Sequence, residues 1–207
     1  DKGLPVIECD ARSGRGVNAF VPAVRRLLAE KIAQYEAKGQ AGRPLRVMVL
    51  GIPNVGKSTF INKVAGRKAA IAGDKPGVTR GKQWINIDRS LDLLDTPGIL
   101  WPKFESQQVG ELLAITNAIK SDVIDKETLG ANFMLRLREN YPQALEARYK
   151  FAPDPDANGF ELLEQCAKKR GFLVSKGEYD IERMASTLLG EYHDGKLGRI
   201  TLELPDD

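Results

Sequence analysis

The octapeptide GIPNVGKS, residues 51–58, constrains this 207-residue chain more than any other stretch. It has the spacing G-x-x-x-x-G-K-[ST], follows the apolar run LRVMVLG at 45–51, and opens a helical pattern from about Lys57 to Ala65. A strand, a glycine-bearing turn and a helix N-terminus in that order make a cradle of backbone N–H groups for a phosphate. Gly51 and Gly56 let the backbone turn and come close to the anion. Asn54, Val55, Gly56, Lys57, Ser58 and Thr59 are thus the expected nucleotide-binding segment. Lys57 is suited to bridge β- and γ-phosphates, and the Ser58 hydroxyl to ligate Mg²⁺.

Two later segments complete the pattern. Asp95 ends the apolar run LDLL, where a carboxylate is needed to hold the Mg²⁺ shell, and Gly98 in Asp95-Thr96-Pro97-Gly98 offers a backbone N–H near a γ-phosphate. Thr79, in GDKPGVTRG, lies between the first helix and the next strand, at the position of a switch threonine that closes on Mg²⁺ and the γ-phosphate. A plain surface loop is the other reading of that one residue. Ser58, Thr79 and Asp95 form the expected metal set, and Lys57, Thr79 and Gly98 the expected catalytic set. Ile99, Leu100 and Trp101 follow where a polar side chain would orient an attacking water.

The periodicity predicts an α/β part followed by a helical part. LPVIEC at 4–9 reads as a short buried strand, and 17–28 as a helix with Pro22 in its first turn. LRVMVLG reads as a strand buried on both faces of a parallel sheet, and KQWINI and LDLLD as two strands joined tightly at Asp88-Arg89. LLAITNAI, NFMLRLREN, ALEARY, GFELLEQCAKKRG and IERMASTLLGEYHDG are helical in pattern, with a strand signal returning only at RITLEL. The domains are expected at 1–119 and 120–207. Residues 1–117 carry 18 Lys and Arg against 11 Asp and Glu, whereas the remainder carries 13 against 17. The basic half therefore has the better case for meeting phosphates.

No apolar run approaches the roughly 18–20 residues that span a bilayer. Cys9 and Cys166 have no metal-site spacing and read as ordinary thiols of an intracellular protein. A cytoplasmic location with neither membrane nor DNA as partner is expected. The opening Asp1-Lys2-Gly3 reads as that of a fragment or trimmed product.

GIPNVGKS, the loop threonine and DTPG resemble the G1, G2 and G3 motifs of translation-factor-like GTPases. In such proteins guanine is selected by N/T-K-x-D, and no such segment occurs in 99–207; Asn62-Lys63 continues as Val64-Ala65 and reads as a decoy. CDARSGRG at 9–16 is similar to the G5 motif, with Asp10 at the usual serine and Ala11 placed to offer its backbone N–H to the base. G5 ahead of G1 implies a circularly permuted GTPase, with G4 upstream of Asp1, an open sheet edge, and weak or nonselective nucleotide binding by this piece alone. DTPGILWPKFE, GIPNVGKSTFINKVAG, GDKPGVTRGKQWI and DGKLGRITLE together resemble the bacterial ribosome biogenesis GTPase A family. The resemblance implies a permuted P-loop GTPase domain, incomplete at its N-terminus, and a small all-helical C-terminal domain. It further implies GTP/GDP and Mg²⁺ as ligands, a large ribosomal subunit precursor and its rRNA as partners, and hydrolysis stimulated by the subunit.

Several residues keep two readings. Asn54 matches the position that helps hold K⁺ in potassium-stimulated relatives, and equally suits a loop cap. Lys168, Lys169, Arg170, Lys176, Arg183, Lys196 and Arg199 suit RNA backbone contacts or a solvated face. Trp84 and Trp101 suit packing or base stacking, and His193 reads as a solvated surface residue. A nucleotide-gated RNA-binding module without hydrolysis is the second functional reading, and an ATPase of another P-loop class the third.

Overall fold

The computed structural model describes residues 4–70, 81–100, 104, 106–119, 125–174 and 177–203. The chain divides into two compact units, Asp1–Trp101 and Pro102–Asp207.

In the first unit a short turn of 3₁₀ helix, Val17–Ala19, leads into α1 (Phe20–Leu27) and α2 (Ala29–Ala37). Pro22 is the third residue of α1, where its missing N–H has no helical partner to lose. Three strands follow: β1 (Leu45–Val49), then α3 (Lys57–Ala65), then β2 (Gln83–Asp88) and β3 (Leu91–Asp95). Their order in the sheet is β1-β3-β2, with β3 parallel to β1 and antiparallel to β2. Asp88 makes the tight connection by accepting from both the backbone N (2.6 Å) and the Oγ (2.7 Å) of Ser90. α3 ends at Gly66, whose φ of 63° is the left-handed geometry in which a helix commonly stops.

Alternate residues of the strands share one face: Leu45, Ile85, Leu91 and Leu93 are buried with Ile61 of α3 and Val24 of α1. The strand expected to be buried on both faces is buried on one. β1 lies at an edge of the three-stranded sheet, its Arg46 is exposed, and Met48 is 52% exposed. Residues 4–9, expected as a buried strand, form none; Val6 is 94% exposed. A strand needs a neighbour to satisfy its N–H and C=O groups, and none pairs with these residues among those described.

The second unit is helical: α4 (Gln107–Ile115), α5 (Lys126–Asn140), α6 (Pro142–Tyr149), α7 (Gly159–Arg170) and α8 (Ile181–His193). Local rules set most of their starts. Ser106 accepts from Val109 N, Asp125 from Thr128 N and Asp180 from Arg183 N, while Asn158 and Glu161 form a reciprocal capping box. Phe133, Met134, Leu137, Leu162, Leu163 and Met184 are fully buried at its centre. A Cβ on Gly130 would lie 2.6 Å from Ala185 Cβ, so α5 and α8 approach at a contact only a glycine permits.

Two expectations differ here. α4 falls in the second unit, its Ala114 and Ile115 buried in that unit's core, whereas a boundary near 119 assigns it to the first. The described residues of RITLEL form no strand; the one isolated bridge among the described residues of this unit joins Leu173 and Tyr179. His193 is exposed, as expected, and a ring nitrogen also meets the Ile115 carbonyl at 2.7 Å, tying α8 to α4.

A charged group sits in this core. Glu191 of α8 is 7% exposed and accepts from Arg148 Nε (3.0 Å) and Nη2, Tyr149 OH (2.8 Å) and Arg170 Nη2 (2.7 Å). Burial raises the carboxyl's pKa, but the bonds from Arg148 and Tyr149 and the two guanidinium charges outweigh it and hold it below the usual range.

Candidate functional site

The register of the sheet brings the phosphate motifs together. Val49, the last residue of β1, pairs with Asp95, the last residue of β3, so the two parallel strands end level. GIPNVGKS leaves the end of β1 and TPGI the end of β3. Loops beyond the carboxyl ends of parallel strands are where open α/β sheets bind ligands.

Side-chain and backbone bonds then fasten the two loops. Buried Thr96 donates from Oγ1 to the Val49 carbonyl at 2.7 Å. Ile99 N donates to the Gly51 carbonyl at 3.2 Å. A Cβ on Gly98 would fall 2.5 Å from Pro53 Cα and closer still to Pro53 N, so the two loops touch backbone to backbone. Asn54 and Gly56 hold φ of 59° and 89°; asparagine and glycine are the residues that tolerate this left-handed geometry.

Within this frame Ser58 donates from Oγ to Asp95 Oδ2 at 3.2 Å. Asp95 is 1% exposed, and its Oδ1 accepts no hydrogen bond among the described residues. A buried carboxylate oxygen without a donor is costly unless a cation completes it. The pair suits Mg²⁺, which takes one or two protein oxygens and keeps water on its remaining positions. Lys57 donates from Nζ to the Ile52 carbonyl at 2.8 Å, folding back over the loop. Burial pushes its pKa down, and the Asp95 carboxylate opposes that shift.

The structure therefore gathers Asn54, Val55, Gly56, Lys57, Ser58, Thr59, Asp95 and Gly98 around the ends of β1 and β3. Thr79 lies outside the described residues, as do Trp101 and Lys176. Ile99 is 61% exposed, and its contribution to the loop is its backbone N–H. Ala11 lies in a turn organised by Asp10, whose carboxylate accepts from Arg12 N (2.9 Å), Ser13 N (3.3 Å) and Ser13 Oγ (2.7 Å). Asp10 at the usual serine thus closes the turn with its own side chain.

Asn62 and Lys63, read as a decoy, hold the loops on either side of α3. Asn62 Oδ1 accepts from Ala69 N (2.8 Å) and Ala70 N (2.6 Å), and its Nδ2 donates to Ala70 O (2.8 Å). Lys63 Nζ donates to Arg12 O at 3.3 Å. Their place on the P-loop helix is a signal the sequence carries, whereas Thr96 and Pro53 carry none beyond the motifs that contain them. Asn62→Ala strands three backbone groups and is expected to cost the first unit about 1–3 kcal/mol, read as a lower urea midpoint of its unfolding transition.

Three of the basic residues singled out in the second unit are engaged. Arg170 pairs with Glu191 and lies over the Tyr149 ring, Arg183 lies over Phe172, and Lys196 pairs with Asp194. Lys168 lines a cavity of about 440 Å³ together with Asp154, Asp156, Glu161 and Glu164, an environment that repels a phosphate backbone. Trp84 is half exposed on the sheet with the Arg46 guanidinium 5.0 Å from its ring centroid. Among the described residues no helix is long and apolar enough to cross a membrane.

Comparison with known proteins agrees with this geometry. The family described as "50S ribosome-binding GTPase" matches residues 46–142. "Ribosome biogenesis GTPase A" of Bacillus licheniformis is 40% identical over 205 residues, covering 99% of this chain and 72% of that one. The protein of the same name from Bacillus cereus is 40% identical over 207 residues, covering 100% and 70%. The crystal structure of GNP-bound YlqF from T. maritima superposes with a TM-score of 0.53 at 30% identity, covering 80% of this chain and 61% of that chain. The chain belongs to the ribosome biogenesis GTPase A family and is a P-loop GTPase.

Proposed function

We propose that this chain binds GTP and GDP with Mg²⁺ and serves as a GTP-hydrolysing switch in assembly of the large ribosomal subunit, with its precursor and rRNA as partners. The observation that carries this reading is the buried Asp95 carboxylate, one oxygen on Ser58 and the other without a donor among the described residues, level with the P-loop. Mg²⁺ bound there would neutralise charge on the β- and γ-phosphates. The backbone N–H groups of 54–59 hold the phosphates, Lys57 spans them, and the Gly98 N–H meets the γ-phosphate. Ser58, Asp95 and Thr79 would hold the metal, and Ala11 would offer its N–H to the guanine. Water attacks the γ-phosphorus, the bond to the β-bridging oxygen breaks, and GDP and phosphate leave.

The orienting group for that water is not Ile99, which is apolar and exposed. We assign this task to the subunit-bound state; Asn54, whose left-handed backbone turns the loop at that residue, would hold K⁺, which would supply positive charge beside the phosphates. The same observation favours a second reading, a nucleotide-gated RNA-binding module that does not hydrolyse. The two separate in a turnover assay on the intact protein with purified large subunits, in K⁺ and in Na⁺. Subunits are expected to raise turnover by roughly 10²–10⁵, the scale of a partner completing a GTPase site. Turnover that stays flat with subunits and K⁺ establishes the second reading, and an ATP analogue binding as tightly as a GTP analogue removes guanine from both.

A further inference from the structure

The loop that carries Ala11 is not free-standing. It is fastened to the helix that binds the phosphates, at two places. Lys63 Nζ donates to Arg12 O at 3.3 Å, and the Lys63 stem runs so close beneath Gly14 that a Cβ there would overlap Lys63 Cε. Further along, the Phe20 ring meets the Phe60 ring edge-on, with centroids 5.1 Å apart, and Val17 is buried. Gly14 has φ of 89°, which turns its missing side chain toward the lysine.

We infer that Lys63 is a positioning residue for guanine recognition: from α3 it fixes the distance between the phosphate cradle and the Asp10–Gly14 turn. This deepens the functional reading above and rests on its assignment of Ala11 to the base. Lys63 lies six residues beyond Lys57, about 9 Å along the helix at roughly 1.5 Å per residue, so one rigid element carries both the phosphate ligand and the support of the base loop. The Asp10 side chain sets the shape of the turn, but its hydrogen bonds among the described residues are local, to residues 12 and 13. Lys63 connects that shape to α3, by a hydrogen bond to the residue that follows Ala11. The substitution Lys63→Met keeps the stem and the helix propensity but removes the donor, leaving the turn attached through the Phe20 contact further along.

The test is calorimetry on the intact protein with GDP and with 6-thio-GDP, in which sulfur replaces O6 and is a weak acceptor while the rest of the base is kept. The unaltered protein is expected to prefer GDP, and Lys63→Met to bind GDP about threefold to tenfold more weakly with little change for 6-thio-GDP, so that the preference collapses. Lys63→Arg, which restores a donor, is expected to recover it. Equal weakening toward both ligands would make Lys63 a merely structural prop and overturn the inference, as would an undiminished preference in Lys63→Met. An unaltered protein that does not distinguish the two ligands would instead overturn the assignment of the Ala11 N–H to the guanine, whose O6 is the acceptor it would meet.

Discussion

Gly98→Ala is expected to lower GTP turnover about a hundredfold or more while leaving the chain folded. The new methyl group would fall 2.5 Å from Pro53 Cα, against backbone rather than the yielding end of a side chain. One of the two loops must move by several tenths of an ångström, and both are tethered, through Thr96 to Val49 and Ile99 to Gly51. The displacement therefore falls on the proposed phosphate cradle or on the proposed γ-phosphate contact, and misplacement by about 1 Å costs on the order of 10² in rate. Single-turnover kinetics with GDP affinity measured alongside separate the cases. If only the γ-phosphate contact moves, GDP affinity holds while turnover falls; if the cradle moves, both fall. Turnover within a factor of about two of the unaltered protein would show that the two loops do not act as one unit.

The second large effect is on stability. Glu191→Ala removes the shared partner of Arg148, Arg170 and Tyr149, leaving two like charges facing each other in a partly buried site. Breaking a buried charge pair costs about 3–5 kcal/mol, and the partial exposure of both arginines places this case near the lower end. The expected result is a fall of roughly 10–20 °C in the melting temperature of the helical unit. Glu191→Gln, which still accepts hydrogen bonds, is expected to lose less. The same carboxylate sets an acid limit. Its folded pKa is depressed below the ordinary 4.5, so its contribution is complete above that pH and is lost as pH falls through the lower folded value. Melting curves between about pH 7 and pH 3 should show this loss in the unaltered protein and a shallower one in Glu191→Gln.

The glutamate network also shows what the sequence hides. Helix bounds are legible because each rests on neighbours in the chain: Lys57 follows Gly56, and Asn158 caps with Glu161 three residues on. β2 and β3 are legible because a tight turn at Asp88 brings them together. Arg148 and Arg170 lie 43 and 21 residues from Glu191, and in a linear reading each is one more charge on a wet helix face. Residues 4–9 fail for the opposite reason. A short apolar run states that a strand is possible and says nothing of its partner. The P-loop can be read from the sequence, and Asp95 and Gly98 named as candidates, but their alignment cannot, since pairing of β1 with β3 skips over α3 and β2.

That pairing has a consequence for how the protein tolerates change. Leu91, Leu93 and Asp95 alternate along β3 and are all buried, two as hydrocarbon and one as a candidate metal ligand. A slip of one residue between β1 and β3 would turn the leucines out and the carboxylate away from Ser58 in the same step. The packing of the sheet therefore acts as a ruler for the chemistry. Leu91 and Leu93, whose side chains pack into the core, are constrained as tightly as if they touched the nucleotide.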